Sequence, residues 1–320
     1  MLRRHRLLCV SACAATLSAG CGRITASTEV KPDGSYVRRI VFRAPAVQEG
    51  APGGLSGPSI DEVFALPTAP AWTVARSTEE GEAKVTAERT VAAGAGASAD
   101  ITVRTPGKTP AETLLTNSVE VRRVAPNRWE YRETIRWTGP PSEITDAISK
   151  DAEEWIAKAL PAGVSTPELA KGLASSARNR LWRVLFGPGD PLFLGIIAHP
   201  DLAERRLLSA VAREMNAVLV EILGDRLSAE QRRAAIRALT TEMQTVTKVR
   251  GQARQTADKG PAESNFAGLM PLLSSVKMPG KIVATNGEWD EASGEVIWGM
   301  YGQAAALEPV VLTATCEIGN

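Results

Sequence analysis

The stretch that decides the fold is Arg23–Arg43, with the sequence RITASTEVKPDGSYVRRIVFR. Residues 23–30 alternate loosely between polar and apolar side chains, and a second apolar run follows the turn. Between the two runs, Pro32 fixes its φ angle and Gly34 accepts a positive φ, as a tight turn requires. The stretch therefore predicts a β-hairpin that begins two residues after Cys21.

The segment before this hairpin has the composition of an export signal. Residues 1–6 are rich in arginine, residues 7–19 are uncharged and mostly apolar, and small residues lead to Cys21. These three features define a secretory signal peptide. The apolar run is too short to cross a bilayer as a helix, which needs about 20 residues. We expect an exported precursor with a signal peptide at 1–20; a permanent N-terminal membrane helix is an alternative.

The sequence Leu17-Ser18-Ala19-Gly20-Cys21 resembles the lipobox of bacterial lipoproteins, in which small residues precede the cysteine. The resemblance implies signal cleavage after Gly20 and attachment of a diacylglyceryl group to the Cys21 thiol. The family usually has Leu where this chain has Ser18. Two or three acyl chains hold a protein firmly, because each buried methylene contributes about 0.8 kcal/mol. An ordinary signal peptide cleaved nearby is the alternative.

The expected location and partners follow from that anchor. A lipid on Cys21 tethers the mature protein to the extracytoplasmic side of a bacterial membrane. Gly22 follows the cysteine in place of Asp, which resembles the lipoproteins that are sent to the outer membrane in a cell with two membranes. We expect the membrane as one partner and an envelope protein or polymer as another.

The net charge bears on nucleic-acid binding, and the cysteine content bears on disulfide bonds. The precursor has 37 basic side chains, three of them in residues 1–6, so 34 remain against 36 acidic ones, a formal charge of −2. That balance gives no electrostatic case for nucleic acid. Cys9 and Cys13 lie in the signal, so lipidation of Cys21 leaves Cys316 as the one free thiol. We expect Cys316 to be buried; an intermolecular disulfide is the alternative.

More strands are expected between the first hairpin and residue 140. Residues 44–71 contain five Pro and four Gly, which predicts a loop with a short helix near Asp61–Phe64. A second hairpin is predicted around the turn Ala125-Pro126-Asn127. Its two strands are predicted at 116–124 and 128–137. The other strands predicted in this region are 72–77, 83–92 and 101–103.

The pattern changes to helices after Pro140-Pro141. Helix starts are predicted at Ser142, Pro167 and Pro200, and Ser228 with Gln231 forms a capping box for one more. Apolar steps of three and four residues predict that the last two helices form an αα-hairpin. The apolar stripes are Ile144, Ile148, Trp155 and Ile156, then Leu208, Val211, Met215, Val218 and Ile222, then Ile236, Leu239, Met243 and Val246.

Two other stretches of this helical region have distinct patterns. Leu192–Ala198 is a short apolar run that we expect to be buried, with membrane contact as the alternative. Residues 251–268 are polar and contain Gly, which predicts a loop.

Strands return at 281–285, 295–300 and 310–317. Such a small C-terminal group of strands needs a larger sheet to cover it, and the N-terminal strands can supply that sheet. The order therefore predicts an α+β fold: an antiparallel β-rich module built from N- and C-terminal strands, with an inserted segment of about four helices. The expected division is 21–140 plus 272–320 for the β module and 141–271 for the helical insertion.

Two segments resemble a group of bacterial envelope lipoproteins related to mycobacterial LppM. One is Cys21–Phe42, and the other is 278–290 with its continuation to Trp298. The resemblance implies a membrane-tethered β module that interacts with envelope components. It implies no catalytic residues.

No catalytic constellation or metal-ligand cluster is visible in the sequence, and we expect no cofactor. His199 is the one histidine after the signal. Ser274 and Lys277 match a Ser-x-x-Lys motif without its companion motifs. Adjacent acidic residues point apart on a strand or helix, which does not suit a pair of catalytic carboxylates. These acidic pairs are Asp61/Glu62, Glu79/Glu80, Glu153/Glu154 and Asp290/Glu291.

Three hypotheses follow from this sequence. The first is a non-enzymatic binding module tethered to the membrane. The second is a carrier that encloses a lipid or another apolar ligand between sheet and helices. The third is a carboxylate-dependent envelope hydrolase.

Overall fold

The computed structural model describes residues 22–46, 59–105, 112–139, 152–161, 163–188, 200–256 and 270–319. They fall into two compact units. The β unit contains the described residues up to 139, 186–188 and those from 270 onward, and the helical unit contains those of 152–185 and 200–256. The predicted α+β fold, with strands from both ends of the chain, is confirmed.

Seven strands of the β unit form one sheet, with the order β10-β11-β8-β1-β2-β4-β3. Their bounds are β1 Arg23–Val30, β2 Tyr36–Pro45, β3 Thr73–Glu79, β4 Glu82–Val91, β8 Pro271–Lys277, β10 Glu288–Asp290 and β11 Glu295–Tyr301. The remaining five strands form a second sheet, with the order β5-β6-β7-β12-β9. Their bounds are β5 Ala97–Arg104, β6 Thr113–Ala125, β7 Arg128–Trp137, β9 Lys281–Thr285 and β12 Val310–Glu317.

The predicted first hairpin is present as β1 and β2. The amide of Lys31 donates to the Ser35 carbonyl at 2.8 Å, which closes the turn. Gly34 has φ +86°, and a Cβ atom there would lie 2.3 Å from the Trp129 ring. Glycine is therefore required at this position for its backbone angle and for the space that Trp129 occupies.

Strands from the two ends of the chain meet in both sheets. β1 pairs in parallel with β8, with Ile24 opposite Leu272, whereas β12 pairs antiparallel with β7, with Ala314 opposite Tyr131. The sequence did not predict β8. Its residues PLLSSVK do not alternate in polarity, because the polar Ser274 lies on the buried face with Leu272 and Val276 while the apolar Leu273 is exposed.

The two sheets pack face to face. The Tyr131 ring of β7 stacks on the Trp298 ring of β11, with 6.0 Å between centroids. The ring of Phe42 in β2 lies 5.1 Å, centroid to centroid, from the ring of Phe64. Phe64 directly follows the short helix α1, Ile60–Val63. These side chains are almost fully buried, so the interior between the sheets is filled by large side chains.

The helical unit contains α2 at residues 152–159, α3 Pro167–Phe186, α4 Pro200–Leu223 and α5 Ala229–Thr256. The predicted capping box is present, since Gln231 N donates to Ser228 Oγ at 3.2 Å and Ser228 N donates to the Gln231 side chain at 2.8 Å. The apolar faces enclose a core that includes Ile156, Leu173, Val211, Met215, Val218, Leu219, Leu223 and Leu239.

Two predictions in the helical region were wrong in detail. Helix α5 continues to Thr256, so residues 251–256 are helical and not loop, because Gln, Ala and Arg there favour helix more than one Gly disfavours it. Ile222 is exposed, and Leu219 and Leu223 occupy the buried face in its place, because 3.6 residues per turn shift the stripe.

Several predicted features lie outside the described residues: Gly20, Cys21, the helix start at Ser142, the run Leu192–Ala198, His199 and the loop 257–268. Of the helices that the structure describes, none is both long and apolar enough to cross a membrane.

Candidate functional site: a polar core and a groove on the same strand

A buried ion pair connects the two sheets. Arg38 of β2 and Glu133 of β7 are both 0% exposed, and Arg38 Nη2 donates to Glu133 Oε1 at 2.5 Å. The second terminal nitrogen of Arg38 donates to Thr28 Oγ1 at 2.7 Å and to Tyr131 Oη at 3.2 Å. The pair therefore crosses the interior, from the seven-stranded sheet to the five-stranded one.

Three more donors surround the Glu133 carboxylate. Asn117 Nδ2 donates at 2.8 Å, Tyr131 Oη at 2.8 Å and Ser274 Oγ at 2.7 Å. Burial alone would raise the pKa of Glu133, but the charge of Arg38 and these hydrogen bonds outweigh burial and lower it. Glu133 is therefore held as an anion in the core.

A second ion pair lies near the first. Arg89 Nη2 donates to Asp100 Oδ1 at 2.5 Å, and the Arg89 guanidinium lies 4.6 Å from the centre of the Trp72 ring. Burial raises the pKa of Asp100 against the opposing charge of Arg89. Burial and the charge of Asp100 raise the pKa of Tyr36 to about 12. Asp100 and Glu133 are both buried, so neither is placed to act on a ligand in solvent.

The polar core specifies the register of the sheets. Glu133 accepts hydrogen bonds from three strands besides its own, and its neighbour Arg38 bonds two strands besides its own. A one-residue slip of β2 or β7 would turn one of these charges to the opposite face and leave the other buried without a partner. We infer a structural role for this cluster.

The opposite face of β7 lies in the floor of a wide, shallow surface groove of about 700 Å³. Strand alternation places Tyr131, Glu133 and Ile135 inside, and it places Arg132, Thr134 and Arg136 outside. The groove crosses β5, β6, β7 and the start of β12. Its polar lining residues are Ser98, Ser118, Glu120, Arg132, Thr134 and Arg136.

The two groove arginines, Arg132 and Arg136, differ from Arg122 and Arg128 of the same face in their carboxylate partners. Arg122 pairs with Glu130 at 2.7 Å, and Arg128 pairs with Glu317. Within the described part of the chain, Arg132 has no ion pair, although it lies opposite Glu120 in the β6–β7 register. Arg136 donates to Ser118 Oγ at 3.3 Å and likewise has no carboxylate partner among the described residues. The groove thus presents two guanidinium groups that a ligand can reach.

The acidic pairs noted in the sequence serve local structure where the structure describes their contacts. Asp61 accepts two hydrogen bonds from Arg76, at 2.8 and 2.9 Å. Glu62 completes the capping box of α1, and Glu79 pairs with Lys84 at 2.9 Å. The exposed Asp290 carboxylate accepts hydrogen bonds within its own turn. These carboxylates do not converge on one another.

The remaining candidate residues from the sequence are the pair Ser274 and Lys277, and Cys316. Ser274 is buried and bonded to Glu133, whereas Lys277 is exposed on the other face of β8, so the Ser-x-x-Lys spacing does not bring the two side chains together. Cys316 is free and buried, and burial raises the pKa of its thiol.

Sequence analysis missed the polar core although a signal was present. In β2, Arg38 lies on the same face of the strand as Tyr36, Ile40 and Phe42. In β7, Glu133 lies on the same face as Tyr131 and Ile135. Counting alternate residues from the apolar ones would have placed both charges inside. The apolar residues Val37 and Val41, which lie on the outer face of β2, obscure this alternation in the sequence.

Comparison with known proteins is sparse. No family model matches the chain, and no curated protein matches it. A solved structure with weak resemblance is the NMR structure of the folded domain of Mycobacterium tuberculosis LppM. The two are 9% identical, with 94% of this chain and 92% of that chain covered and a TM-score of 0.32. No group of three potential metal ligands occurs within the described residues.

Proposed function

We propose that the protein is a membrane-tethered envelope lipoprotein whose β unit is a non-enzymatic binding module. The signal segment and Cys21 support the tether. The observation that carries the binding role is the groove, where Arg132 and Arg136 stand without carboxylate partners among the described residues. The buried Arg38–Glu133 pair supports the groove from beneath, because it fixes the register of β7.

The groove lining, in which two arginines outnumber the one carboxylate at Glu120, favours an acidic envelope polymer over a protein. Guanidinium groups bind carboxylate and phosphate groups through paired hydrogen bonds, and the hydroxyls of Ser98, Ser118 and Thr134 suit a hydroxyl-rich chain. The described lining contains no aromatic side chain, whereas protein interfaces are enriched in aromatic anchors. Arg132 and Arg136 are four residues apart on one strand, so their Cα atoms are separated by about 13 Å. A polymer with repeated acidic groups can reach both.

The second hypothesis, a carrier of an apolar ligand, stays a prediction. The interior between the sheets is filled by side chains such as Trp298 and Tyr131, which disfavours a ligand there. The sequence analysis placed that ligand between sheet and helices.

A titration followed by NMR tests the binding role. The probe is a short polygalacturonate, which carries one carboxylate per sugar, and neutral maltoheptaose is its control. We expect polygalacturonate to shift the amide signals of 96–98, 118–120 and 132–136. The double variant Arg132→Gln/Arg136→Gln should lose most of this binding. The matched variant Arg122→Gln removes an exposed arginine from the same face and should retain it.

Three outcomes count against this proposal. Equal shifts with maltoheptaose would show that the acidic groups are irrelevant. Shifts confined to another surface would exclude the groove. Equal loss of binding in Arg122→Gln would reduce the effect to general surface charge.

A further inference from the structure

The groove is crossed by rows of side chains that run from strand to strand. In an antiparallel pair, residues directly opposite each other share a face, and neighbouring strands lie about 4.8 Å apart. The central row is uncharged. It consists of residues that are opposite one another in β5, β6, β7 and β12, namely Ser98, Ser118, Thr134 and Val311. This row therefore offers three hydroxyl groups to a ligand that lies across the strands over about 14 Å.

The rows on either side of the central row differ in charge. Toward the start of β7, Arg132 is directly opposite Glu120 of β6, and both side chains are exposed. Toward the end of β7, Arg136 is opposite the uncharged Thr116, and Arg136 Nη1 donates to Ser118 Oγ at 3.3 Å. The charges of Arg132 and Glu120 offset each other, whereas that of Arg136 is not offset by a facing carboxylate.

We infer that Arg136 is the main anion-binding position of the groove and that Glu120 determines how densely charged the bound polymer is, an inference that rests on the proposed binding role of the groove. An acidic group beside Arg136 meets a guanidinium that has no carboxylate partner among the described residues. An acidic group beside Arg132 is also repelled by Glu120. Two unit charges about 6 Å apart in water change an affinity about threefold.

The pairing of Arg132 with Glu120 also indicates which groups suit that side of the groove. A guanidinium is a hydrogen-bond donor and an ionised carboxylate is an acceptor. An amide or a hydroxyl group on a sugar has both capacities and carries no charge, so it can bond both side chains. The ligand class is therefore an acidic polysaccharide in which charged sugars alternate with uncharged sugars that bear amide or hydroxyl groups.

Two hexasaccharides of different charge density test this inference. One is the hyaluronan hexasaccharide, in which glucuronate alternates with N-acetylglucosamine, and the other is hexagalacturonate, which has a carboxylate on every sugar. Affinities are measured by NMR titration of the mature chain at about 10 mM salt, where screening is weak. We expect Glu120→Gln to raise the affinity for hexagalacturonate about threefold and to leave that for the hyaluronan hexasaccharide nearly unchanged.

The two arginines should also differ in a way that depends on Glu120. For hexagalacturonate, Arg136→Gln should weaken binding more than Arg132→Gln does. In the Glu120→Gln background the two losses should become equal, because the carboxylate that offsets Arg132 is gone. Glu130→Gln is the matched control, because it removes the same charge from the same face of the sheet, outside the groove lining.

The outcomes separate this inference from the proposed function. An equal gain in Glu130→Gln, an equal gain with both hexasaccharides, or equal losses in Arg132→Gln and Arg136→Gln overturns the role of Glu120. Binding of either hexasaccharide in the groove leaves the binding module standing in each of those cases. A wild-type chain that binds neither hexasaccharide overturns both proposals.

Discussion

Replacement of Glu133 by Gln should destabilise the β unit strongly, because it leaves the Arg38 charge buried without a counter-ion. Arg38 and Glu133 are both 0% exposed, and the carboxylate also accepts hydrogen bonds from Asn117, Tyr131 and Ser274. Removing one partner of a buried pair costs about 3–5 kcal/mol. We expect a loss of that size in the free energy of unfolding.

Urea unfolding of the mature chain, followed by tryptophan fluorescence, measures this loss. Glu130→Gln is the matched control, because Glu130 lies on the outer face of the same strand, where its pair with Arg122 at 2.7 Å is partly exposed. Such exposed pairs contribute about 0–1 kcal/mol. The double variant Arg38→Met/Glu133→Leu should be more stable than Glu133→Gln, since it leaves no unpaired charge.

This reasoning is refuted if Glu133→Gln costs no more than Glu130→Gln. It is also refuted if the double variant is no more stable than Glu133→Gln, because the unpaired Arg38 charge would then not be the source of the loss.

Three other predictions concern the β unit. The pKa of Glu133 is lowered in the folded state, so its contribution to stability is complete above the ordinary pKa of 4.5 and declines as the pH falls below that value. The difference in unfolding free energy between wild type and Glu133→Gln should therefore shrink between pH 5 and pH 3. A difference that grows on acidification would contradict a lowered pKa for Glu133. Gly34→Ala should destabilise the chain by more than Gly94→Ala in thermal unfolding, because both glycines have positive φ but only Gly34 faces Trp129; equal losses would exclude the steric contribution. Deletion of 272–320 removes β8–β12 apart from Pro271 and should abolish the cooperative loss of β-sheet circular dichroism, whereas a β unit that still unfolds cooperatively would contradict a sheet shared by both ends of the chain.

The sequence predicted correctly those turns and helix caps that depend on only a few neighbouring residues. The turn around Pro32 and Gly34, the hairpin around Asn127 and the capping box of Ser228 each follow from a few residues whose backbone preferences agree. By contrast, β8 became a strand because β1 and β11 lie on either side of it, and its own sequence does not show that environment.

The candidate site was only partly predictable. Alternation along β7 places Arg132 and Arg136 on the face opposite Tyr131 and Ile135, and both are exposed. That they lack carboxylate partners within the described residues, whereas Arg122 has one, depends on side-chain positions across strands. The pairing of Arg38 with Glu133 depends on contact between two sheets, from residues that are 95 positions apart.

The intact mass of the protein extracted from bacterial membranes tests the central claim most directly. A membrane-tethered lipoprotein should give a chain that begins at residue 21 and carries a diacylglyceryl group on the Cys21 thiol. A chain that begins at any other residue, or one with an unmodified thiol at Cys21, would contradict the proposed anchor.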